Sequence, residues 1–129
     1  MSMTTMVKDR PTVLKELHAP IKSGRKLMQW RRTIGITRPV FAVLSSCSER
    51  SVATQEKKNR LSLPKERKLN EAHRLLLGLC EIMDPENVSA WLNEPNEWFD
   101  NQTPMAVIKQ GKIDKVWELV YHTKAAGYL

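Results

Sequence analysis

Cationic and hydrogen-bonding side chains are concentrated between positions 31 and 60 of this chain of 129 residues. Arginine and glutamine can hydrogen-bond to the edges of DNA bases, whereas lysine neutralises phosphates without reading the sequence. The stretch ERSVATQEKKNR, residues 49–60, has the length of one short helix and carries both kinds of group. The pattern therefore predicts a helix that presents base-contacting and phosphate-contacting side chains. The candidate DNA-contacting residues are Arg31, Arg32, Arg38, Arg50, Ser51, Thr54, Gln55, Lys57 and Lys58.

The other reactive side chains do not form a catalytic or metal-binding pattern. Cys47 and Cys80 are too few for a disulfide framework or a zinc site, and His18, His73 and His122 stand in no metal-ligand spacing. The phosphate-binding P-loop, the G-x-S-x-G nucleophile elbow and the H-E-x-x-H helix are all missing from the sequence. We therefore predict no catalytic residue, no metal and no cofactor, and expect a protein that is not an enzyme.

Charge is distributed unequally along the chain. Residues 1–69 contain 16 Lys and Arg against 5 Asp and Glu, whereas residues 70–129 contain 5 against 9, within a formal net charge of +7. A basic half can displace the counterions condensed on DNA, which is the main source of non-specific affinity, although a solvated basic surface would have the same composition. No apolar run approaches the roughly 20 residues of a membrane helix, and the first 20 residues lack a signal-peptide core. We expect a cytoplasmic protein with one modest core.

The elements that would position the basic residues are short helices. Ser23 is suited to cap a helix over GRKLMQWRRTIG, and Thr37 to cap a second with Pro39 in its first turn. Ser48 would cap a third helix that ends near Asn59. The last two of these helices, separated by a short turn, fit the helix-turn-helix plan.

Apolar spacing supports that plan in part. Ala42 is a small residue at the expected crossing point of the two helices, and Val52, ten positions later, would face the core. Ser45 and Gln55 stand where apolar residues are usual. An ordinary pair of packed helices remains the alternative.

The rest of the chain also reads as helical. SLPKERKLNEAHRLLLGLCEIMD, from residue 62, has a continuous apolar stripe and predicts a long helix that joins the two halves, with Gly78 allowing a close helix approach. A dimer interface along this helix would produce the same stripe. Short helices are expected over residues 85–93, 104–110 and 112–126, with a turn at 94–101. Thr103 would cap the second of these helices, and Gly111 would end it. The predicted fold class is all-α, with an N-terminal helix-turn-helix bundle joined by a long helix to a small C-terminal helical domain.

The C-terminal half resembles a known family. In AWLNEPNEWFDNQTPMAVIKQGKIDKVWELV, residues 90–120, the pairs Trp-Leu at 91–92, Pro-Asn at 95–96 and Thr-Pro at 103–104 occur in order with Phe99 and Gly111. This pattern is similar to the toxin-binding domain of Xre/MbcA/ParS antitoxins. ITRPVFAVLSSCSERSVATQEKKNRLS resembles the Xre-like helix-turn-helix of the same family, so the resemblance covers roughly residues 25–120. The chain departs from the family at residues 50–55 and in its last residues, YHTKAAGYL.

The resemblance implies a type II antitoxin that binds and neutralises a cognate toxin, with the NAD-consuming RES-type enzymes as candidates, and represses its own operon through operator DNA. It implies a homodimer, because helix-turn-helix proteins read paired half-sites. The corresponding domains are an N-terminal arm at 1–22, a DNA-binding region with its connecting helix at 23–83 and a toxin-binding domain at 84–129.

Two groups of residues are candidates for toxin binding. Trp98 and Phe99 lie together in a polar turn, where they either cover the small core or stand exposed as an anchor for a partner. Gly127, Tyr128 and Leu129 end the sequence with an aromatic and an apolar residue, which either fold back on the domain or insert into the toxin.

Two other functions fit the same sequence. The chain could be a stand-alone helix-turn-helix regulator whose C-terminal part only dimerises. It could also be an interaction module whose basic half contacts an acidic protein. A RES-type reading frame beside this one would favour the antitoxin over both alternatives.

Overall fold

The computed structural model describes residues 20–127, which form seven α-helices, one 3-10 helix and no strand. The helices are α1 (Gly24–Thr33), α2 (Arg38–Ser45), α3 (Glu49–Glu56), α4 (Leu63–Ile82), α5 (Pro85–Leu92), the 3-10 helix Glu97–Phe99, α6 (Pro104–Lys109) and α7 (Ile113–Ala125). The prediction of an all-α fold is confirmed. The N-terminal arm, apart from its last three residues, lies outside the described residues, as do Tyr128 and Leu129.

Side-chain caps set the starts of the first three helices. Ser23 Oγ accepts the backbone N–H of Lys26, and the hydroxyls of Thr37 and Ser48 cap α2 and α3 in the same way. Each cap satisfies an N–H group that has no partner inside its helix. α2 and α3 are separated by residues 46–48, in which Ser46 adopts a left-handed conformation with φ of 54°. The predicted pair of short helices with a three-residue turn is therefore present.

α3 is shorter than the sequence indicated. It ends at Glu56 instead of near Asn59, because the carbonyl of Lys58 accepts the backbone N–H groups of Gly24 and Arg25 at the start of α1. A Cβ atom on Gly24 would lie 1.7 Å from the carbonyl oxygen of Gln55. α1 and the end of α3 therefore meet at a distance that only glycine permits.

α4 is the long helix that joins the two halves. Its buried face includes Leu69, Leu76 and Leu79, and its N-terminal half is tied to the incoming chain by Asn70, whose side chain bonds both backbone groups of Ile21. Farther along, Gly78 lies against α7, where an added Cβ would be 3.2 Å from the Trp117 ring. The predicted close approach at this glycine is therefore observed.

The C-terminal half is a compact set of short helices around α4. Thr103 Oγ1 caps α6 and Pro104 occupies its first turn, while Gly111, with φ of 80°, ends that helix as the sequence predicted. α7 packs on α4 and α6, and α6 also contacts α2. The buried side chains of both halves form one continuous cluster, from Leu27 in α1 to Val120 in α7.

Candidate functional site

The outer face of α3 is polar and accessible. Arg50, Thr54, Lys57 and Lys58 are exposed, and Ser51 is partly exposed. The Thr54 hydroxyl donates to the Arg50 carbonyl at 3.0 Å, which leaves the hydroxyl oxygen free to accept a hydrogen bond from outside. Arg50, Ser51 and Thr54 lie on α3, and Lys57 and Lys58 follow directly after its last residue.

Gln55 does not belong to that face. The prediction that it is exposed is wrong, since only 5% of its surface is accessible. Its side-chain oxygen accepts the backbone N–H of Ser62 at 2.9 Å, and its amide nitrogen donates to the Ser62 hydroxyl at 3.1 Å. Gln55 therefore fastens α3 to the start of α4 and is not available to a base.

Arg31 is also buried, contrary to its prediction as an exposed phosphate contact. Its guanidinium donates to both carboxylate oxygens of Glu56, at 2.6 and 2.9 Å, and to the carbonyl of Ile36 at 3.0 Å. Burial favours the neutral acid, but the hydrogen bonds and charges of Arg31 and Arg38 outweigh it and lower the pKa of Glu56. Glu56 is thus an ionised group that holds α1 against the end of α3.

Arg38 is the second cation on this carboxylate. Its Nε donates to Glu56 Oε1 at 2.9 Å, while 39% of its side chain remains accessible. This ion pair holds the guanidinium of Arg38, the first residue of α2, against Glu56, the last residue of α3. Arg32 is exposed on α1. Arg38 and Arg32 therefore remain accessible cations of α2 and α1.

The loop between α5 and α6 is closed by its own hydrogen bonds. Asn96 and Gln102 form an isolated antiparallel bridge, and the N–H of Asn101 donates to the Asn96 carbonyl at 2.9 Å. Asn96 Oδ1 also accepts the N–H of Trp98 at 2.9 Å. Asp100 and Asn101 take left-handed conformations, which turn the chain back on itself. The 3-10 helix is thus held in a fixed position.

This loop separates its two aromatic side chains. Phe99 is 5% exposed and meets the Trp91 ring edge-on at 6.5 Å, so it belongs to the core and is not accessible to a partner. Trp98 is 47% exposed and lies 4.8 Å from the exposed ring of His122 in α7. Of the two predicted anchors, only Trp98 is presented at the surface.

Trp98 borders a groove that the sequence did not reveal. Its apolar lining comes from the end of α4, from α5 and from α7, and its edge includes Glu94 and Glu97. The apolar lining side chains, which are partly buried against the core, are Ile82, Met83, Trp91 and Leu119. We refer to this feature as the α5–α7 groove. No local pattern marks it, because its walls come from segments far apart in the chain.

Of the predicted tail residues, the structure describes only Gly127, which has φ of 67° and lies just after α7. Tyr128 and Leu129 lie outside the described residues. Lys124, one turn earlier, pairs with Glu81 of α4 at 2.9 Å and fixes the end of α7 to the long helix.

A comparison with known protein families finds a match in the C-terminal half. Residues 82–122 match the model of the antitoxin Xre/MbcA/ParS C-terminal toxin-binding domain. This segment is therefore similar to that toxin-binding domain. The resemblance read from the sequence is confirmed there, and it supports an antitoxin role and a toxin as partner. No curated protein and no solved structure shows significant similarity to the chain.

The matched toxin-binding domain contains α5, the 3-10 helix, α6 and most of α7. It also contains Trp98 and every apolar residue of the α5–α7 groove. Within residues 20–127, no three His, Cys, Asp or Glu side chains gather as metal ligands, and no helix is long and apolar enough to cross a membrane.

Proposed function

We propose that this protein is a type II antitoxin that neutralises a RES-type toxin and represses its own operon by binding operator DNA. The observation that carries the proposal is the match of residues 82–122 to the toxin-binding domain. α4 joins this segment to the helix pair α2 and α3, beside which Arg50, Lys57 and Lys58 are exposed. One chain then has one surface for a toxin and another for DNA.

The DNA contacts of this proposal come from the accessible side chains. Arg50, Ser51 and Thr54 would meet base edges in the major groove, since they lie on the accessible face of α3. Lys57, Lys58, Arg38 and Arg32 would neutralise phosphates. Glu56 would hold the Arg38 guanidinium beside α3 while part of it stays accessible.

Dimerisation follows from the geometry of DNA recognition. Helix-turn-helix proteins bind two half-sites about 34 Å apart, so a single copy of α3 would read only half of an operator. The test is the mass of the protein–operator complex in solution, together with a footprint on the DNA upstream of the gene. Two protomers on a symmetric site are expected, and a complex with one protomer would contradict this part.

Neutralisation is tested by co-expression with the neighbouring toxin gene. The full chain should restore growth, and a full chain that is folded but does not restore growth would contradict the antitoxin role. If no toxin gene lies beside this gene and operator binding is normal, the alternative is favoured. In that alternative the protein is a stand-alone regulator whose C-terminal domain serves dimerisation.

The tail forms a separate part of the proposal, in which Gly127, Tyr128 and Leu129 insert into the toxin. Deleting only Tyr128 and Leu129 keeps the Lys124–Glu81 ion pair and the whole of α7. The shortened protein should fold and bind DNA but fail to rescue growth. Full rescue would show that inhibition comes from the helical surface instead.

A further inference from the structure

The α5–α7 groove is an open apolar feature on the surface of the matched domain. Trp98, Leu63 and Tyr121 are the large apolar side chains that stand exposed within residues 20–127. Of these three, only Trp98 borders the groove. Exposed aromatic residues beside apolar grooves are characteristic of protein interfaces, where tryptophan commonly contributes a large share of the binding energy.

The groove is formed in advance of binding. Its Trp98 side is carried by the hydrogen-bonded loop from Asn96 to Gln102, and its other walls are regular helices. The Phe99 side chain anchors this loop in the core. A partner would therefore not have to order the loop, which lowers the entropic cost of association.

Charge indicates the chemistry of the partner. Glu94 and Glu97 are exposed at the edge of the groove beside Trp98, and no Lys or Arg lines it. Neither glutamate forms an ion pair in the described part of the chain. An apolar floor with an acidic edge is complementary to a segment that carries an apolar side chain flanked by Lys or Arg.

We propose that the α5–α7 groove is the docking site for the cognate toxin, and that it receives a toxin segment with an apolar anchor next to basic residues. This proposal rests on the antitoxin function above. It assigns affinity to the groove, through Trp98 and its apolar floor, and assigns the rate of encounter to Glu94 and Glu97.

The first experiment uses the full-length chain and the purified product of the neighbouring toxin gene. Trp98→Ala should weaken toxin binding at least about tenfold, mainly through faster dissociation. Tyr121→Ala is the matched control, since Tyr121 is an exposed aromatic residue on α7 that lies outside the groove. It should bind within about twofold of the wild type.

The charge reversal of Glu94 and Glu97 to Lys tests the partner's chemistry. The doubly substituted protein should associate at least about tenfold more slowly at low salt, and the difference should shrink as salt screens the charges. The same reversal at Asp114 and Glu118, exposed acidic residues of α7 that do not line the groove, is the control and should have a smaller effect.

A labelling experiment checks the location without mutation. Oxidative labelling of Trp98 and Met83 should fall when the toxin is added, while Tyr121 stays labelled.

If the wild type binds the toxin but Trp98→Ala binds as tightly and Trp98 is not protected, the groove proposal is wrong and the antitoxin function stands. If the wild type does not bind, both are wrong. If Trp98→Ala instead turns a dimer into a monomer with unchanged toxin binding, the groove joins two copies of this chain.

Discussion

Arg31 and Glu56 form a buried two-point ion pair that links the last turn of α1 to the last residue of α3. Nε of Arg31 lies 2.6 Å from Oε2 of Glu56, and a second guanidinium nitrogen lies 2.9 Å from Oε1. The side chains are 5% and 3% exposed. Because Arg38 donates to the same carboxylate, one buried group sets the positions of α1, α2 and α3 relative to each other.

Stability should depend on the ionisation of Glu56. Its folded-state pKa is lowered, so the stabilisation is complete above the unfolded pKa near 4.5 and is lost as pH falls through the lower folded value. Glu56→Gln cannot ionise and should cost about 3 kcal/mol at pH 7, because it leaves a buried guanidinium without its counterion. Denaturant unfolding at neutral pH and at about pH 3 should show this deficit narrowing in acid.

Glu71→Gln is the control for that experiment. Glu71 pairs with Arg67 on the exposed surface of α4, at 3.2 Å and with both side chains largely accessible. An exposed pair contributes about 0.5 kcal/mol or less, so this variant should unfold almost as the wild type does. Equal losses in the two variants would contradict the structural role of Glu56.

Gly24→Ala should destabilise the helix-turn-helix region although alanine is the better helix former. The new Cβ would overlap the Gln55 carbonyl, and relieving that clash should cost about 1–3 kcal/mol. Lys26→Ala, at an exposed position of the same helix, should be nearly neutral. Thermal unfolding distinguishes the two, and a more stable Gly24→Ala variant would mean that α1 and α3 do not meet as described.

Ala42→Leu should impair DNA binding through packing alone. Ala42 is 3% exposed in α2, which packs on both α3 and α4. Extra methylene groups there should cost about 1–3 kcal/mol and displace α3. Ala125→Leu adds the same groups at an exposed helical position and should leave operator binding unchanged. Normal stability and normal operator binding by Ala42→Leu would argue against a tight crossing.

The two kinds of DNA contact should respond differently to substitution. Lys57→Ala should weaken binding to operator and random DNA alike and reduce the slope of log K against log salt by about 1. Arg50→Ala should cost about 1–3 kcal/mol of discrimination between operator and random DNA. Titrations of both duplexes at several salt concentrations measure these effects. Salt-independent binding by the wild type would contradict the proposed phosphate contacts.

Features that depend on neighbouring residues were predicted well. Ser23, Thr37, Ser48 and Thr103 cap their helices as expected, because an N-cap bond reaches only two or three residues along the chain. The apolar stripe of α4 likewise identified its buried face from spacing alone.

The errors concern partners that are distant in sequence. Arg31 is 25 positions from Glu56, and no local pattern shows that its charge is neutralised inside the protein. The burial of Gln55, in contrast, is indicated by its own position in the sequence. This residue occupies a position where apolar residues are usual, which indicates an inward-facing side chain, and its amide is satisfied there by Ser62. The α5–α7 groove could not be predicted at all, since it requires the packed arrangement of α4, α5 and α7.

The continuous core around α4 affects how the protein unfolds and is degraded. Its two halves share buried side chains and α2 contacts α6, so neither half has a separate core that could persist after the other opens. Global unfolding is then expected to be a single transition, in which a protease acting on the opened chain removes both halves together. The α3 surface and the α5–α7 groove would then have the same lifetime.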